Sequence, residues 1–307
     1  MKALPRIVII TRPTPLEMMV RRMGTLENAK FYAESRGRNL DWATRAHTLQ
    51  QRAVETVLAA IPPEQHRTQL SRDDFDRFVF NADDVIFAVG QDGLVANIAK
   101  YLQGQSVVGF NPDPETVGGQ LCRHKPNAAA AILAWINSGR GKFAVENRTL
   151  VQALREDGQR LLALNEVFIG HQSHQSAKYT IQGRGPEGEP MIERQSSSGV
   201  IVSTGTGATG WTASICLQRG IETALPAPTS RALAWFVREP WPSVGTGTSL
   251  NFGLLGESDA LTLQSELGEG GVVFGDGIET DYLEFNDGQT VTVSVAPETL
   301  NLVGAVA

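Results

Sequence analysis

Short runs of apolar residues, rich in β-branched side chains, alternate with helix-like segments in the first half of the chain. Three of these runs are typical of strands that are buried on both faces: Ile7–Ile10, Val85–Val89 and Ser106–Phe110. Apolar side chains recur at helical spacing in three further segments: Leu16 to about Ala60, Leu94–Leu102 and Ala128–Ile136. Strands that alternate with helices predict βαβ units and therefore a Rossmann-like parallel sheet.

After about residue 143 the pattern changes to short strands separated by turns that contain glycine or proline. Arg148–Leu154 and Arg160–Leu164 are predicted to pair around the turn Glu156-Asp157-Gly158. The other predicted strands are Val167–Ile169, Tyr179–Ile181, Val200–Ser203, Leu261–Leu263, Val272–Phe274, Thr290–Val295 and Leu300–Val303. Helices are predicted in this half only at Thr212–Arg219 and Ser230–Ala234.

These two patterns predict two domains, which suits a chain of 307 residues. The first is an α/β N-terminal domain with a Rossmann-like parallel sheet, at residues 1–143. The second is a β-rich C-terminal domain at residues 144–287. The last predicted strands, within 288–307, are expected to return to the first domain and complete it.

Composition narrows the class of protein. The formal net charge is -6, with acidic and basic residues interspersed, so no basic stripe is present for nucleic acid or for an anionic membrane surface. With 2 cysteines, neither a disulfide framework nor a cysteine-rich zinc site is expected. The first apolar run is too short for the core of a signal peptide, and no apolar stretch is long enough to span a bilayer. A cytoplasmic protein that binds small molecules is expected.

The turn Gly90-Gln91-Asp92-Gly93 lies where a predicted buried strand ends and a helix begins. Ligands of open α/β sheets bind at the carboxyl ends of strands, and glycine there lets backbone N–H groups approach phosphate oxygens. Asp92 is suited to accept a proton from a substrate hydroxyl or to help hold a magnesium ion. The alternative is a plain strand–helix turn in which Asp92 is the N-cap of the helix.

A second glycine-rich turn, at residues 203–211, follows the strand Val200–Ser203 and leads directly into a helix. Its three glycines alternate with hydroxyl-bearing residues, which suit ribose and phosphate recognition, and Trp211 is placed either to stack on a base or to pack. The alternative is a flexible loop. The pair Asn165-Glu166 suits a ribose diol or an adenine edge, although the same pair is also ordinary turn chemistry at the entrance of a strand.

Taken in order, these motifs resemble those of NAD kinases. The matching segments are Gly90–Gly93, Asn111-Pro112-Asp113-Pro114, Asn165–Gly170, Thr204–Trp211 and Gly275-Asp276-Gly277. Asn165–Gly170 and Thr204–Gly207 most resemble the branch that includes the mitochondrial NAD kinases. The chain departs from the family at Gln91, Leu94, Gly210 and Trp211, where the family has glycine, threonine, alanine and tyrosine.

The resemblance implies an NAD kinase-like two-domain fold and transfer of a phosphoryl group from ATP, or another donor, to the 2′-hydroxyl of NAD, with Mg²⁺. It implies that Asp92 is the catalytic base and that Asn165 and Glu166 hold the adenosine of NAD. The other residues implied in nucleotide binding are Gly90, Gln91, Gly93, Asn111, Thr206, Gly207, Thr209, Gly210, Trp211 and Ser214. No side chains are predicted as metal ligands, and a homodimer or homotetramer is expected because NAD kinases commonly form them.

Two alternatives stay open at this point. One is a kinase of the same superfamily that acts on a lipid or sugar hydroxyl. The other is a non-catalytic protein that binds NAD(H) or NADP(H) and in which Gln91 closes the donor site. The Asn165-Glu166 pair and the turn that begins at Thr204 favour a dinucleotide over a lipid or a sugar.

Overall fold

The computed structural model describes residues 4–138, 141–185 and 188–305, and these form two compact units. Unit 1 lies within Met1–Glu146 and Asn301–Ala307, and unit 2 lies within Asn147–Leu300. The domain limits inferred from the sequence, 1–143 with 288–307 and 144–287, stay a prediction, because a division by contacts does not show which segments fold independently.

Unit 1 alternates strands and helices. Its strands are β1 (Ile7–Thr11), β2 (Arg67–Ser71), β3 (Val85–Val89) and β4 (Ser106–Phe110). Its helices are α1 (Pro15–Met23), α2 (Leu26–Glu34), α3 (Asp41–Ala59), α4 (Asp92–Ala99) and α5 (Ala129–Ser138), with 3₁₀ turns at Arg72–Arg77 and Pro126–Ala128. Helix α1 begins where it does because Thr14 and Glu17 cap each other's backbone N–H groups and Pro15 occupies the first turn.

Unit 2 is built mainly of strands. They are β5 (Phe143–Arg155), β6 (Arg160–Ala163), β7 (Glu166–His171), β8 (Ala177–Arg184), β9 (Pro190–Ser197), β10 (Val200–Ser203), β11 (Leu233–Val237), β12 (Phe252–Leu255), β13 (Ala260–Ser265), β14 (Gly271–Gly275), β15 (Tyr282–Glu284) and β16 (Thr290–Ala305). A 3₁₀ turn at Gly207–Thr209 precedes helix α6 (Trp211–Arg219). Strand β5 begins in unit 1, and β16 ends there.

The strands of unit 1 form a parallel sheet with the order β2-β1-β3-β4, and Asn301 of β16 pairs in parallel with Ser106 of β4. The chain therefore moves from β1 to β2 in one direction across the sheet and from β3 to β4 in the other. Right-handed crossovers place the two sets of connecting helices on opposite faces. The change of direction falls between β1 and β3, and this is the crevice in which open α/β sheets bind ligands.

The core of unit 1 explains why the central strands β1 and β3 are almost entirely apolar. Ile7, Ile9 and Phe87 face α3 and α5 and pack on Val57 and Ile132, while the alternate side chains of the strands are equally buried. Each large apolar side chain that is fully buried contributes about 1.5–3 kcal/mol. Among the described residues, none of the helices combines the length and the hydropathy needed to cross a bilayer.

Unit 2 contains two antiparallel sheets. One has the order β16-β13-β8-β9, and the β5–β6 hairpin belongs to the same sheet. The second has the order β12-β11-β10-β7-β14-β15. Val167 and Ile169 of β7 point into a core shared with the first sheet, whereas Phe168 points to the opposite face and packs near Ile215 of α6. Strand alternation therefore puts Glu166, which is two residues before Phe168, on the α6 side of β7.

The α/β organisation of unit 1 and the β-rich organisation of unit 2 confirm the predicted fold class. The predicted helix at Ser230–Ala234 is wrong, because Leu233–Val237 form strand β11, buried at every position between β10 and β12. The two predicted C-terminal strands are one continuous strand, β16. Strands β2 and β9 lie at the two ends of a strand order and were not predicted, because their largely polar sequences contain no apolar run.

Candidate functional site

In unit 1, the turn Gly90–Gly93 joins β3 to α4 at the crevice between β1 and β3. Gly90 donates its N–H to Phe110 O at the end of β4 (2.9 Å), which fixes the start of the turn. Helix α4 begins at Asp92, and its N-cap is Gln91, whose side chain makes no capping bond. The alternative interpretation of Asp92 as an N-cap is therefore wrong, because Asp92 is the first residue of the helix and its carboxylate binds elsewhere.

The Asp92 carboxylate accepts three backbone N–H groups from one segment of the chain. Oδ1 accepts from Leu121 (3.0 Å) and Cys122 (2.8 Å), and Oδ2 accepts from Gln120 (2.8 Å). Hydrogen bonds to an ionised carboxylate are stronger than those between neutral groups, so Asp92 anchors this segment over the turn. The side chain is half-buried, and Oδ2, with a single N–H bond, keeps capacity to accept another.

Glycine at two positions lets the anchored segment approach β4, at Gly109, and turn tightly on itself, at Gly119. A Cβ atom on Gly109 would lie 2.2 Å from Leu121 O, and one on Gly119 would lie 2.2 Å from Cys122 O. Both distances are shorter than real Cβ contacts, so any side chain at either position would displace the segment. A Cβ on Gly93, in contrast, would meet nothing within 4 Å. Packing within unit 1 does not require glycine at this position, which leaves the space above the first turn of α4 open.

Asn111 lies beneath the loop that follows β4. It is 5% exposed. Its side-chain Oδ1 accepts from Asp113 N (2.9 Å), and its Nδ2 donates to Val117 O (2.7 Å). Both ends of the amide are therefore used to shape residues 111–117. A role for Asn111 in nucleotide binding stays a prediction. Because both ends of its amide are occupied, Asn111 would affect a nucleotide through the shape of this loop.

Gln91 has a partner that the sequence did not suggest. Its Oε1 accepts a hydrogen bond of 2.6 Å from Nη2 of Arg12, the first residue after β1. The two side chains therefore meet across the crevice between β1 and β3. The separation in sequence is 79 residues, so local spacing gives no signal of the pair.

In unit 2, the turn that begins at Thr204 is tied to the Asn165-Glu166 pair. Thr204 donates its N–H to Asn165 O (2.9 Å) and its hydroxyl to Leu164 O (2.5 Å). The same hydroxyl accepts from Thr206 N (3.1 Å) and Gly207 N (3.4 Å). Thr204 is 1% exposed, so these hydrogen bonds are shielded from water. They hold the backbone of residues 204–207 in a defined turn. The interpretation of this segment as a flexible loop is therefore wrong.

Two glycines of this turn are required by packing. A Cβ on Gly205 would lie 2.2 Å from Ala227 O, and one on Gly207 would lie 2.4 Å from Asn165 O. Gly207 therefore contributes by letting Asn165 approach, and its direct contact with a nucleotide stays a prediction. Gly210 is different, because it is exposed and a Cβ there would meet only Gly207 O, at 3.6 Å.

Asp276 holds the Asn165-Glu166 pair from a second side. Its carboxylate accepts from Leu164 N (2.9 Å) and Asn165 N (2.6 Å), and its own N–H donates to Glu166 O (3.0 Å). Asp276 adopts a φ of 53°, a left-handed conformation that aspartate tolerates better than most residues. The Gly275-Asp276-Gly277 turn is thus part of the same cluster. The Asn165 side chain makes no hydrogen bond within residues 4–138, 141–185 and 188–305, and so is available to a ligand.

Glu166 is a titratable group of this cluster with an altered pKa. Burial raises the pKa of its carboxyl to about 7, and the nearby negative charge of Asp276 acts in the same direction. A carboxyl with this pKa carries a proton about half of the time near neutral pH. It is therefore able to accept a hydrogen bond from a ribose hydroxyl when ionised, and to donate one when protonated.

We expect Glu166→Gln to change the pH dependence of stability. The folded-state pKa lies above the unfolded value of 4.5, so the stability that Glu166 contributes is lost as pH rises from about 4.5 through about 7. Glutamine resembles the protonated form and avoids this loss, so the variant should be more stable above pH 7 by on the order of 2 kcal/mol. Equilibrium unfolding measured from about pH 5 to about pH 8.5 tests this. A difference between the two proteins that is constant over this range would contradict it.

Arg148 supports the turn from within unit 2 and was not singled out by its sequence context. It is 7% exposed, and its Nη1 donates to Thr206 Oγ1 over 3.4 Å. A buried guanidinium requires hydrogen-bond partners, and one partner of Arg148 belongs to the glycine-rich turn. The signal that could have found it is the isolated arginine in the strand Arg148–Leu154, whose other positions are mostly apolar.

Trp211, the first residue of α6, stands beside an open cavity. Its indole is 37% exposed and stacks on Phe168, with ring centroids 6.0 Å apart and an interplanar angle of 11°. The Arg238 guanidinium lies 5.0 Å from the indole centroid. The cavity has a volume of about 330 Å³ and is lined by aromatic side chains and by charged ones. The aromatic ones are Phe168, Trp211, Phe274 and Tyr282, and the charged ones include Arg238 and Glu279.

The remaining predicted residues, in the second turn and the first part of α6, lie on the surface. Thr209, Gly210 and Ser214 are exposed, and Gly210 is the N-cap of α6, without a side chain to occupy the first N–H groups of the helix. The N–H groups at such a helix start are suited to oxygen atoms of a phosphate. Across the described segments 4–138, 141–185 and 188–305, no group of three or more His, Cys, Asp or Glu side chains is arranged to hold a metal ion.

The fold as a whole is similar to that of two solved kinases. Yeast NADH kinase in complex with NADH aligns with a TM-score of 0.61 over 99% of this chain and 84% of the kinase, at 14% sequence identity. An NAD kinase from Archaeoglobus fulgidus in complex with ATP aligns with a TM-score of 0.58 over 97% of this chain and 92% of the kinase, at 16% identity. No protein-family model and no curated protein match the chain. The chain therefore has the NAD kinase fold that the order of its motifs predicted, while the mitochondrial branch stays a prediction.

Proposed function

We propose that this protein is an NAD kinase, which transfers a phosphoryl group from ATP to the 2′-hydroxyl of NAD and gives NADP and ADP. The observation that supports this most is the cluster in unit 2. There, hydrogen bonds join three segments that are far apart in the sequence, Asn165-Glu166, Thr204–Gly207 and Gly275–Gly277. Phe168 and Phe274, which follow and precede these segments on β7 and β14, line the Trp211 cavity. The same segments carry the resemblance to NAD kinases, and the fold is the one that this resemblance implies.

In this proposal each unit has its own task. Asn165 and Glu166 hold the ribose and adenine of NAD, because their amide and carboxyl groups lack hydrogen-bond partners in the described part of the chain and match a diol and a base edge. Thr209, Gly210 and Ser214 line the dinucleotide site at the start of α6. In unit 1, Gly90–Gly93 receive the phosphates of the donor, where the open space above Gly93 leaves room for them.

The chemical step follows from the Asp92 carboxylate. The 2′-oxygen of NAD attacks the terminal phosphorus of ATP, the bond from that phosphorus to the bridging oxygen breaks, and ADP leaves. Asp92 accepts the proton of the 2′-hydroxyl. Mg²⁺ in such sites is held by the donor phosphates with one or two carboxylates, so no cage of protein ligands is needed, and Asp92 with its less occupied Oδ2 is the residue that would contribute. The ion would neutralise charge on the phosphates.

The direct test is to incubate the purified protein with NAD, ATP and magnesium and to measure NADP by an NADP-specific dehydrogenase. NADP formation that requires all three components is expected. Absence of NADP, together with phosphorylation of a lipid or sugar in a substrate panel, would favour the alternative kinase. Absence of any phosphorylation, together with calorimetry that shows NAD binding but no ATP binding, would favour the non-catalytic protein.

We expect Trp211→Ala to weaken NAD binding by roughly 10-fold, because it removes an exposed aromatic face and leaves Phe168 and Arg238 without their stacking partner. Trp211→Phe, which keeps an aromatic ring at the cavity, is the matched variant and should bind within about 3-fold of the wild type. Titration calorimetry with NAD measures both. Equal affinities for the alanine and phenylalanine variants would show that the ring does not contact the dinucleotide.

We also propose that the protein works in the cytoplasm as a homodimer or homotetramer. Sedimentation equilibrium of the purified chain at several concentrations tests the oligomeric state, and a species of single-chain mass at all of them would contradict it.

A further inference from the structure

The crevice between β1 and β3 carries a pair of side chains that the proposed mechanism has not used. Strand order β2-β1-β3-β4 makes this the place where the crossovers change direction, and therefore where two turns at the carboxyl ends of strands face each other. One turn begins with Arg12 after β1. The other is Gly90–Gly93 after β3. Both turns of such a crevice supply groups that bind ligands. The glycine motif Gly90–Gly93 supplies those of the turn after β3, and the turn after β1 has so far been given no role.

Arg12 and Gln91 meet at this place, through the 2.6 Å bond from Nη2 to Oε1. Within residues 4–138, 141–185 and 188–305, Arg12 makes no ion pair and no other hydrogen bond. Gln91 is a neutral acceptor, so it fixes the direction of the guanidinium without cancelling its charge. The other N–H groups of Arg12 stay available as donors in a planar fork, the geometry that binds phosphate through two bonds.

The charge of Arg12 also reaches the segment that Asp92 anchors. Burial raises the pKa of the Cys122 thiol, the negative charge of Asp92 adds to this, and the positive charge of Arg12 opposes it. Cys122 donates its N–H to Asp92 Oδ1. Arg12 therefore acts on the immediate surroundings of the proposed catalytic base.

We propose that Arg12 binds the terminal phosphate of the nucleoside triphosphate donor and that Gln91 is the positioning residue that holds its guanidinium in place. This inference rests on the proposed kinase function. In this inference Gln91, which replaces the glycine of the NAD kinase motif, is part of the donor site. Its side chain orients Arg12, the residue that follows β1. The opposite interpretation, that Gln91 closes the donor site, predicts effects of the opposite sign.

The test measures binding of magnesium–ATP and magnesium–ADP by calorimetry, without NAD. Arg12→Ala should weaken ATP binding by roughly 10- to 100-fold, and ADP binding by much less, because ADP lacks the terminal phosphate. Arg12→Lys should recover part of the ATP affinity through its charge. The matched control is Arg21→Ala, which removes an exposed arginine of unit 1 that pairs with Asp73 and should leave both affinities unchanged.

Two substitutions of Gln91 separate positioning from obstruction. Gln91→Glu has the same shape but pairs its charge with Arg12, so it should weaken ATP binding about as much as Arg12→Ala does. Gln91→Gly should weaken it by a smaller factor, and in turnover it should raise KM for ATP while leaving KM for NAD unchanged. Tighter ATP binding or faster turnover in Gln91→Gly would overturn the proposal, because it would mean that the side chain obstructs the donor.

The outcomes distinguish this inference from the proposed function. If Arg12→Ala and Arg21→Ala bind ATP equally well, or if the wild-type protein binds no ATP, the assignment of Arg12 is wrong. If Arg12→Ala alone loses ATP affinity while the wild-type protein forms no NADP, the assignment of Arg12 holds and the NAD kinase function fails.

Discussion

We expect Asp92→Asn to lower kcat for NADP formation by roughly 10²- to 10⁴-fold, the usual contribution of a positioned general base. Asparagine is nearly isosteric with aspartate, but its amide does not accept the proton of the 2′-hydroxyl at neutral pH. The binding of NAD in unit 2 should change little, since Asn165, Glu166 and the Thr204 turn are untouched. The measurement is steady-state turnover, with NAD affinity determined separately by calorimetry.

This substitution also has a structural effect, which the experiment has to separate from catalysis. The introduced asparagine would keep one oxygen toward Leu121 and Cys122 but would turn its NH₂ group toward the N–H of Gln120, which the wild-type Oδ2 accepts. Loss of one charge-assisted bond costs about 1.5–3 kcal/mol. A fall in the thermal midpoint is therefore expected together with the fall in kcat.

Asp84→Asn is the matched control. Asp84 is a second aspartate of unit 1, 2% exposed, that accepts from the Arg6 side chain (2.9 Å to Nε) and from Asn81 N (2.8 Å), away from the Gly90–Gly93 turn. Its substitution should lower the thermal midpoint at least as much while leaving kcat of the folded protein within about 3-fold. If Asp92→Asn retains wild-type kcat, or if Asp84→Asn loses it equally, Asp92 is not the base.

Thr204→Val should destabilise unit 2 by about 3 kcal/mol or more, a large effect for the loss of one oxygen atom. Valine fills the same space, so no cavity forms. The Leu164 carbonyl and the N–H groups of Thr206 and Gly207 lose the partner that the Thr204 hydroxyl supplies. Buried polar groups without partners cost about 1–3 kcal/mol each, and partial exposure to water recovers some of this.

The same change should weaken NAD binding, because Thr204 connects the second glycine-rich turn to Asn165-Glu166. Thr204→Ser keeps the hydroxyl and loses one methyl group, so it should cost only about 1 kcal/mol and bind NAD nearly as well as the wild type. Denaturant unfolding and NAD calorimetry on the two variants provide the comparison. Equal stability of the valine and serine variants would show that the hydroxyl bonds do not hold the turn.

Much of the fold is encoded locally. Strands β1, β3 and β4 are continuous apolar runs, and burial on both faces requires such runs, so they were predicted with nearly correct bounds. The predicted helix Ser230–Ala234 is wrong because a short apolar run fits either period, and only pairing with the neighbouring strands β10 and β12 decides that Leu233–Val237 form a strand. The edge strand β9 is mostly polar, and even its buried positions Gln195 and Ser197 are polar, so its sequence shows no apolar alternation.

The candidate site was predictable to the extent that it follows the chain. Asn165-Glu166 and residues 203–211 could be picked out because each motif is contiguous. What holds them together could not be picked out, since Asp276 reaches Asn165 across 111 residues and Arg148 reaches Thr206 across 58. The same limit applies to the glycines, because the sequence shows where Gly207 and Gly93 are but not that a backbone oxygen crowds one and open space surrounds the other.

The pairing of β16 with β4 has a consequence for the order in which the chain can fold during synthesis. Strand β4 is complete once residue 110 has left the ribosome, but the part of β16 that pairs with it begins at Asn301, after the whole of unit 2 has been made. At translation rates of about 5–20 residues per second, this edge of the sheet stays unpaired for on the order of 10 s. An unpaired strand edge can pair with another chain and so promote aggregation. We therefore expect the nascent protein to need chaperones during this interval. Truncation before Asn301 should leave unit 1 prone to aggregation even though none of the residues around Asp92 has been removed.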